Sequence, residues 1–190
     1  SFVGQLELTY ADGSRDTVAT DGTWRAAPSP ILRSGIYDGE DYDARLEHAG
    51  WSTPGFDDGA WEPVAVRARD PRTYVAPTAP PIRCTQEVRP VEVLTSPSGR
   101  RILDLGQNLV GRPRIRVAGP AGATVMLRTA EVLQDGELYT RPLRGARSTD
   151  SYTLAGRDGG EEWEPRFTFH GFRYLEVSGW PGDLDADVAA

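Results

Sequence analysis

The sequence predicts an all-β protein built from two β-sandwich units, and three observations carry that prediction. Apolar and polar residues alternate at the two-residue period of half-buried strands through most of the chain, as in Ile115 and Val117 against Arg114 and Arg116. Turn signals such as Ala11-Asp12-Gly13, Ser96-Pro97-Ser98-Gly99 and Gly119-Pro120-Ala121-Gly122 punctuate it about every 8–12 residues. No stretch keeps a helical period for more than a turn or two, and no internal repeat is present. A proline-rich stretch near the middle divides the two units.

The totals are compatible with this. Of 190 residues, 38% are hydrophobic and 26% charged, which suffices for a packed core. No apolar run reaches the ~20 residues that a membrane span needs, and Ser1 opens no signal-peptide pattern. Because the chain starts with Ser and passes almost at once into a strand, it is expected to be cut from a longer polypeptide. The net charge of −7, without a clustered basic face, excludes nucleic acid as the main partner. Polar or neutral ligands suit it better. All 21 basic residues are Arg, a trait of a GC-rich genome rather than of a mechanism.

Taken in order, Phe2 to Tyr10 is a strand with Leu6, Leu8 and Tyr10 on one side, and Arg15 to Thr20 returns from the turn at Asp12-Gly13. Trp24 opens a third extended piece that runs into Pro28 and Pro30, where only edge strand or loop is tolerated. From Ile36 to Arg45 four carboxylates, Asp38, Glu40, Asp41 and Asp43, fall within six positions. Anions so close repel unless cations offset them. Arg33 and Arg45 are candidates, which makes a salt-bridge network the first expectation. A calcium ion held by Asp38, Glu40 and Asp41 is the second, since calcium takes hard oxygen ligands, although the spacing is not that of an EF-hand loop.

Trp51, Phe56 and Trp61 place three large aromatic rings in the next loop, beside Asp57 and Asp58. They are read first as a plug closing the end of a sandwich. The alternative is a sugar site, with a pyranose stacked on Trp51 or Trp61 and its hydroxyls bonded to Asp38, Glu40, Asp41 or Asp43. Between Arg69 and Pro81, Pro71, Pro77, Pro80 and Pro81 mark a semi-rigid linker and a domain boundary. Beyond it, Ile82 to Leu94 reads as a strand pair or one bent strand, with Cys84 buried in it. A lone cysteine makes no disulfide within the chain and no Cys-based zinc site. His48 and His170 have no ligand-like neighbours.

Arg101 to Leu133 is the longest run with one period: strand, turn, strand, turn, strand, with Val125 and Leu127 facing away from Thr124, Met126 and Arg128. Gln134-Asp135-Gly136 turns the chain into a short extended piece. Arg141, Arg144 and Arg147 follow in a loop that Pro142 and Gly145 keep from being a helix. Ser151 to Leu154, Trp163 to His170 and Gly171 to Val177 complete the strands, with Phe167, Phe169, Phe172 and Tyr174 expected in the core.

Several of these stretches together resemble the N-terminal, non-catalytic part of bacterial α-L-rhamnosidases of glycoside hydrolase family 78. They are Leu6 to Gly13 with Trp24, Tyr37-Asp38-Gly39-Glu40 with Tyr42-Asp43-Ala44-Arg45, and Phe56-Asp57-Asp58 with Trp61. In the second half they are Asp104 to Gly111, Gly119 to Gly122, Ala130 to Leu133, Thr149-Asp150, and Trp163 to Phe167 through His170 to Tyr174. The resemblance implies that residues 1–66 are the second half of a jelly-roll domain lacking its opening strands, and that 67–81 are linker. Residues 82–180 would be a concanavalin-like sandwich, and 181–190 the start of a connection to a catalytic (α/α)6 barrel. It further implies an accessory role in hydrolysing terminal α-L-rhamnosides, with rhamnose-containing glycosides and the rest of the parent polypeptide as partners. A purely structural spacer and a stand-alone carbohydrate-binding module are the alternatives, and no catalytic residue is expected in this chain. Where relatives commonly carry an aromatic after the position of Gly111, this chain has Arg112-Pro113. The exposed arginines Arg112, Arg114 and Arg116 are expected to be partly covered by the barrel. Cytoplasmic and secreted locations in a bacterium both remain open.

Overall fold

The computed structural model describes residues 2–68 and 75–184 and the backbone of 188–189; the middle of the expected linker, 69–74, lies outside the described residues. In chain order the first strands are β1 (Gln5–Thr9), β2 (Arg15–Ala19), β3 (Arg25–Ala26), β4 (Ile31–Gly35), β5 (Gly39–Asp43) and β6 (Glu62–Pro63). Next come β7 (Glu92–Thr95), β8 (Arg101–Gly111), β9 (Arg114–Val117), β10 (Thr124–Ala130), β11 (Val132–Gln134) and β12 (Glu137–Tyr139). The last are β13 (Thr149–Thr153), β14 (Glu161–Trp163), β15 (His170–Ser178) and β16 (Val188–Ala189). Two single-turn 3-10 segments, Ala44–Leu46 and Arg141–Leu143, are the helical elements among the described residues. The chain is all-β, as its period predicts.

Two compact units share the chain. The first unit comprises residues 1–28 and 48–80, and the second 29–47 and 81–190. Residues 29–47 supply two strands to the second unit. The physical reason lies in register: β5 pairs parallel with β13, Ser151 opposite Asp41 and Thr153 opposite Asp43, while β4 folds back on β5.

In the first unit, β1 and β2 form an antiparallel ribbon with Leu6 opposite Val18, and β3 pairs with β6. Leu6 and Val18 are both exposed, so this ribbon buries little apolar surface of its own.

The second unit is a sandwich. Its larger sheet has the order β4-β5-β13-β10-β15-β8-β7, and its smaller one β14-β9-β16. The alternation read along β10 sends Val125 and Leu127 inward, where they meet Leu103, Leu105, Phe172, Leu175 and Val177 from neighbouring strands. Ile115, Val117 and Trp163 close the core from the smaller sheet, with Trp163 stacked on Tyr152 at 5.2 Å between ring centroids.

Three sequence expectations fail for definable reasons. Residues 81–91 form no strand, so Cys84 is exposed rather than buried. The stretch from Trp163 to His170 is not one strand: β14 stops at Trp163 and β15 starts at His170. Phe167 and Phe169 lie outside the core because Thr168 and His170, in phase with Phe172, take the inward positions. No helix among the described residues is long and apolar enough to cross a membrane.

Candidate functional site

The Tyr37-Asp38-Gly39-Glu40 stretch is held against the second unit through its backbone. Gly39 has φ +97°, and a Cβ there would sit 2.2 Å from the Thr149 carbonyl oxygen, so only glycine lets β5 approach β13. Ser148 N donates to the Tyr37 carbonyl at 3.0 Å and Thr149 N to that of Asp38 at 3.1 Å. Glu40 N donates to Asp150 Oδ1 at 2.8 Å.

Three carboxylates of the expected cluster, those of Glu40, Asp41 and Asp43, are each engaged separately. Glu40 is fully buried and accepts from Phe167 N at 3.0 Å, Arg166 N at 3.1 Å and Ser34 Oγ at 3.2 Å. Asp41 accepts from Ser151 Oγ at 2.6 Å, Arg147 Nη2 at 2.7 Å and Arg33 Nε at 2.9 Å. Burial pushes its carboxyl up, but Ser151, Arg147 and Arg33 together hold it below the usual carboxylate range. Asp43 takes a bidentate pair from Arg45 at 2.7 and 2.9 Å, which likewise lowers its pKa. Asp38 contributes its backbone carbonyl, to Arg147 Nε at 3.1 Å as well as to Thr149.

This is the geometry of a salt-bridge network, and it does not fit calcium. Glu40 and Asp41, as successive strand residues, point to opposite faces, and their oxygens already accept from arginines, serines and backbone amides. Among the described residues, no three His, Cys, Asp or Glu side chains are grouped to hold a metal ion.

Trp51 and Trp61 belong to the first unit, whereas the four carboxylates belong to the second. Trp61 packs edge-on against His48 at 5.3 Å and Phe56 at 5.5 Å, and its carbonyl accepts from Arg25 Nη1 at 2.8 Å. It plugs its loop. Trp51 stands in a turn and is 64% exposed.

Two buried polar groupings escaped the sequence reading. In the first, His170 Nε2 lies 3.0 Å from Asp150 Oδ2, and since a carboxylate only accepts, Nε2 carries the proton and donates. Ser148 Oγ is 3.5 Å from His170 Nδ1 and 2.6 Å from Thr129 Oγ1. The series Ser148, His170, Asp150 has the residue types of a nucleophilic triad. All three are buried, however, and the serine hydroxyl is committed to Thr129, so the group ties β13 to β15 and gives a substrate no access. In the sequence Thr149-Asp150 stands only among the family markers and His170 also as a histidine without ligand-like neighbours; the signal for its burial is that 168, 170 and 172 alternate in one phase.

In the second grouping, Glu161 accepts from Tyr152 Oη at 2.7 Å, Gly156 N at 2.8 Å, Ala155 N at 3.0 Å and Arg157 N at 3.2 Å. Burial raises its pKa, and these four donors more than offset that, leaving it below the usual value. The Ala155-Gly156-Arg157 backbone is thereby wrapped around one carboxylate. Across the sheet, Asp104 takes a bidentate pair from Arg173 at 2.8 Å and accepts from Gly106 N at 2.7 Å, and Arg173 foremost lowers its pKa.

Arg112, Arg114 and Arg116, in the stretch from Arg101 to Leu133, are each paired within the unit. Arg112 meets Glu164 at 2.6 Å, Arg114 meets Glu87 at 2.7 Å and Arg116 meets Glu162 at 3.6 Å.

Comparison with known proteins agrees with this architecture. Residues 94–190 match the family model described as the bacterial α-L-rhamnosidase concanavalin-like domain, and residues 1–86 that of the α-L-rhamnosidase N-terminal domain. An α-L-rhamnosidase of Streptomyces avermitilis is 52% identical over 187 residues, which are 96% of this chain and 18% of the relative. One from an Alteromonas species is 42% identical over 94% of this chain and 20% of the relative. The crystal structure of the Streptomyces avermitilis α-L-rhamnosidase complexed with L-rhamnose superposes with a TM-score of 0.93 and 49% identity, covering 99% of this chain and 18% of that one. The native enzyme of Aspergillus terreus gives 0.93 and 45%, covering 99% and 22%. The chain thus spans about a fifth of the length of the relatives it matches. With both halves matched by rhamnosidase models and the strands superposed throughout, the chain belongs to the bacterial α-L-rhamnosidase family.

Proposed function

We propose that the chain is an accessory, non-catalytic part of an α-L-rhamnosidase acting on terminal α-L-rhamnosides, and that it supports the catalytic domain. The observation that carries this reading is the engagement of three carboxylates of the conspicuous cluster, Glu40, Asp41 and Asp43, by arginines, hydroxyls or amides of the chain itself. Inverting hydrolysis needs a free acid and base about 6.5–9.5 Å apart with room for a water between them. Retaining hydrolysis needs two facing carboxyls about 5–5.5 Å apart. Carboxylates saturated by internal donors serve neither. That relatives named α-L-rhamnosidases are about five times as long supports placing the chemistry elsewhere in the polypeptide. The test is release of p-nitrophenol from its α-L-rhamnoside by the purified chain. Turnover above a heat-denatured control would overturn the reading.

A rhamnose-binding role is favoured by one feature, the exposed ring of Trp51, which presents the flat apolar face that a pyranose stacks on. Titration calorimetry with L-rhamnose separates the two readings. Binding that Trp51→Ala weakens tenfold or more establishes the sugar site, and absence of heat leaves the supporting role. The same titration with calcium added should be unchanged.

A further inference from the structure

One end of the second unit carries an apolar surface that its core and polar networks do not use. Ile36 and Tyr37, in the β4–β5 turn, are 56% and 77% exposed; Phe167 and Phe169 are 66% and 40% exposed, and Val110 is 75% exposed. Their backbones are neighbours. Thr168 Oγ1 donates to the Gly35 carbonyl at 3.0 Å, and Phe167 N to Glu40 at 3.0 Å. Val110 lies opposite Gly171 and Gly111 opposite His170, which follows Phe169 directly. The segments that bear these rings are therefore fastened from beneath by buried groups, and the rings are displayed by a rigid base. Thr168 and His170 occupying the inward positions is what turns Phe167 and Phe169 out.

Large exposed apolar side chains borne by neighbouring segments of a rigid base mark an interaction surface. Two observations identify what covers it. The chain spans only about a fifth of its relatives, so a long polypeptide accompanies this region in them. In addition, β16 runs antiparallel to β9 with Val188 opposite Ile115 and Ala189 opposite Arg114, so its backbone heads for Pro113 and Arg112. Arg112 stands at the rim of the apolar surface: its Nη1 donates to the Arg166 carbonyl at 3.4 Å, one residue from Phe167, and its Nη2 meets Glu164 at 2.6 Å. The chain at residue 189 is thus directed to the edge of that surface.

We propose that Ile36, Tyr37, Val110, Phe167 and Phe169 form a docking face for the polypeptide that continues beyond residue 190 in the full-length protein, with Arg112 and Glu164 as its polar rim. The inference rests on the reading of the chain as one part of a longer rhamnosidase.

The test uses the full-length protein in a Cys84→Ser background, carrying either Tyr37→Cys or Phe167→Cys. Maleimide modification is followed at the substituted peptide by mass spectrometry, in native buffer and in denaturant. The docked face predicts that both sites react at least tenfold more slowly in the native protein, independently of its concentration. Protection below tenfold at either folded variant overturns the proposal. Protection that disappears on dilution, together with a halving of the mass by light scattering, overturns it in favour of a second copy of the chain. Hydrolysis of p-nitrophenyl α-L-rhamnoside by the same preparations reads the functional assignment separately. An active enzyme with fast-reacting sites refutes only the docking face, and an inactive parent protein refutes the assignment whatever the labelling shows.

Discussion

Substituting Gly39 by Ala tests the attachment of residues 29–47 to the second unit. The new methyl would lie 2.2 Å from the Thr149 carbonyl oxygen and 2.7 Å from Asp150 Oδ1, where ordinary contact needs about 3.5 Å. The backbone must withdraw by more than about 1 Å, since the obstacle is a strand and not the tip of a flexible side chain. Three hydrogen bonds go with it: Ser148 N to Tyr37 O, Thr149 N to Asp38 O and Glu40 N to Asp150 Oδ1. At ~0.5–1.5 kcal/mol net for each bond, and ~1–3 kcal/mol for a non-glycine residue at this positive φ, the expected loss is about 2.5–7.5 kcal/mol. At ~2–4 °C per kcal/mol for a chain of this size, the melting point falls by about 5–30 °C. Urea denaturation gives the free energy, and amide exchange shows where it is lost: 39–43 and 149–153 should lose protection together. A variant within about 1 kcal/mol of the parent, with 39–43 still protected, would refute the reasoning that β5 is built against β13.

Three other outcomes follow from the packing and the charges. Glu161→Gln keeps one acceptor but turns an amide NH2 toward backbone donors, so it should cost about 2–4 kcal/mol in denaturant titration and loosen residues 155–160 to protease. Leu127→Ala, at a fully buried position of β10, should cost about 2–5 kcal/mol by the same measurement. Asp41, Asp43, Asp104 and Glu161 all have folded pKa values below their ordinary ones. Their stabilisation is therefore full above the unfolded carboxylate range and is lost as pH falls through the lower folded values. Thermal stability should drop progressively below about pH 5, and Asp104→Asn should be less stable at pH 7 with a shallower decline. An unchanged acid limb in that variant would count against the Arg173 pairing.

Local order was legible because it is written in local periods. The alternation of Thr124 to Arg128 sets the inward face of β10 without reference to any other strand, and the turn residues around Gly122 fix its start. The carboxylates from Asp38 to Asp43 announced a need for cations, and Arg33 and Arg45 lay close enough to be named. Arg147 and Ser151 did not, because they reach Asp41 from more than 100 residues away. The parallel pairing of β5 with β13 is invisible for the same reason: neither strand's pattern names its partner. Phe167 and Phe169 were misplaced by weighing hydrophobicity above phase. Polar Thr168 and His170 go inward because Gly35 O and Asp150 await them, and two phenylalanines are left outside as a result.

The bonds joining Glu40 to Asp150 and Asp41 to Ser151 span 110 residues each. On a ribosome adding about 5–20 residues per second, the hairpin of β4 and β5 waits roughly 5–20 s for its partner strand to be made. Throughout that interval Glu40 has no buried place to go, and the edge of β5 that β13 will occupy is open to other chains. The long separation also raises the contact order, so the second unit should fold slowly for its size. Nascent-chain yield should therefore fall when synthesis is arrested between residues 47 and 149, a vulnerability in time that the finished sandwich no longer displays.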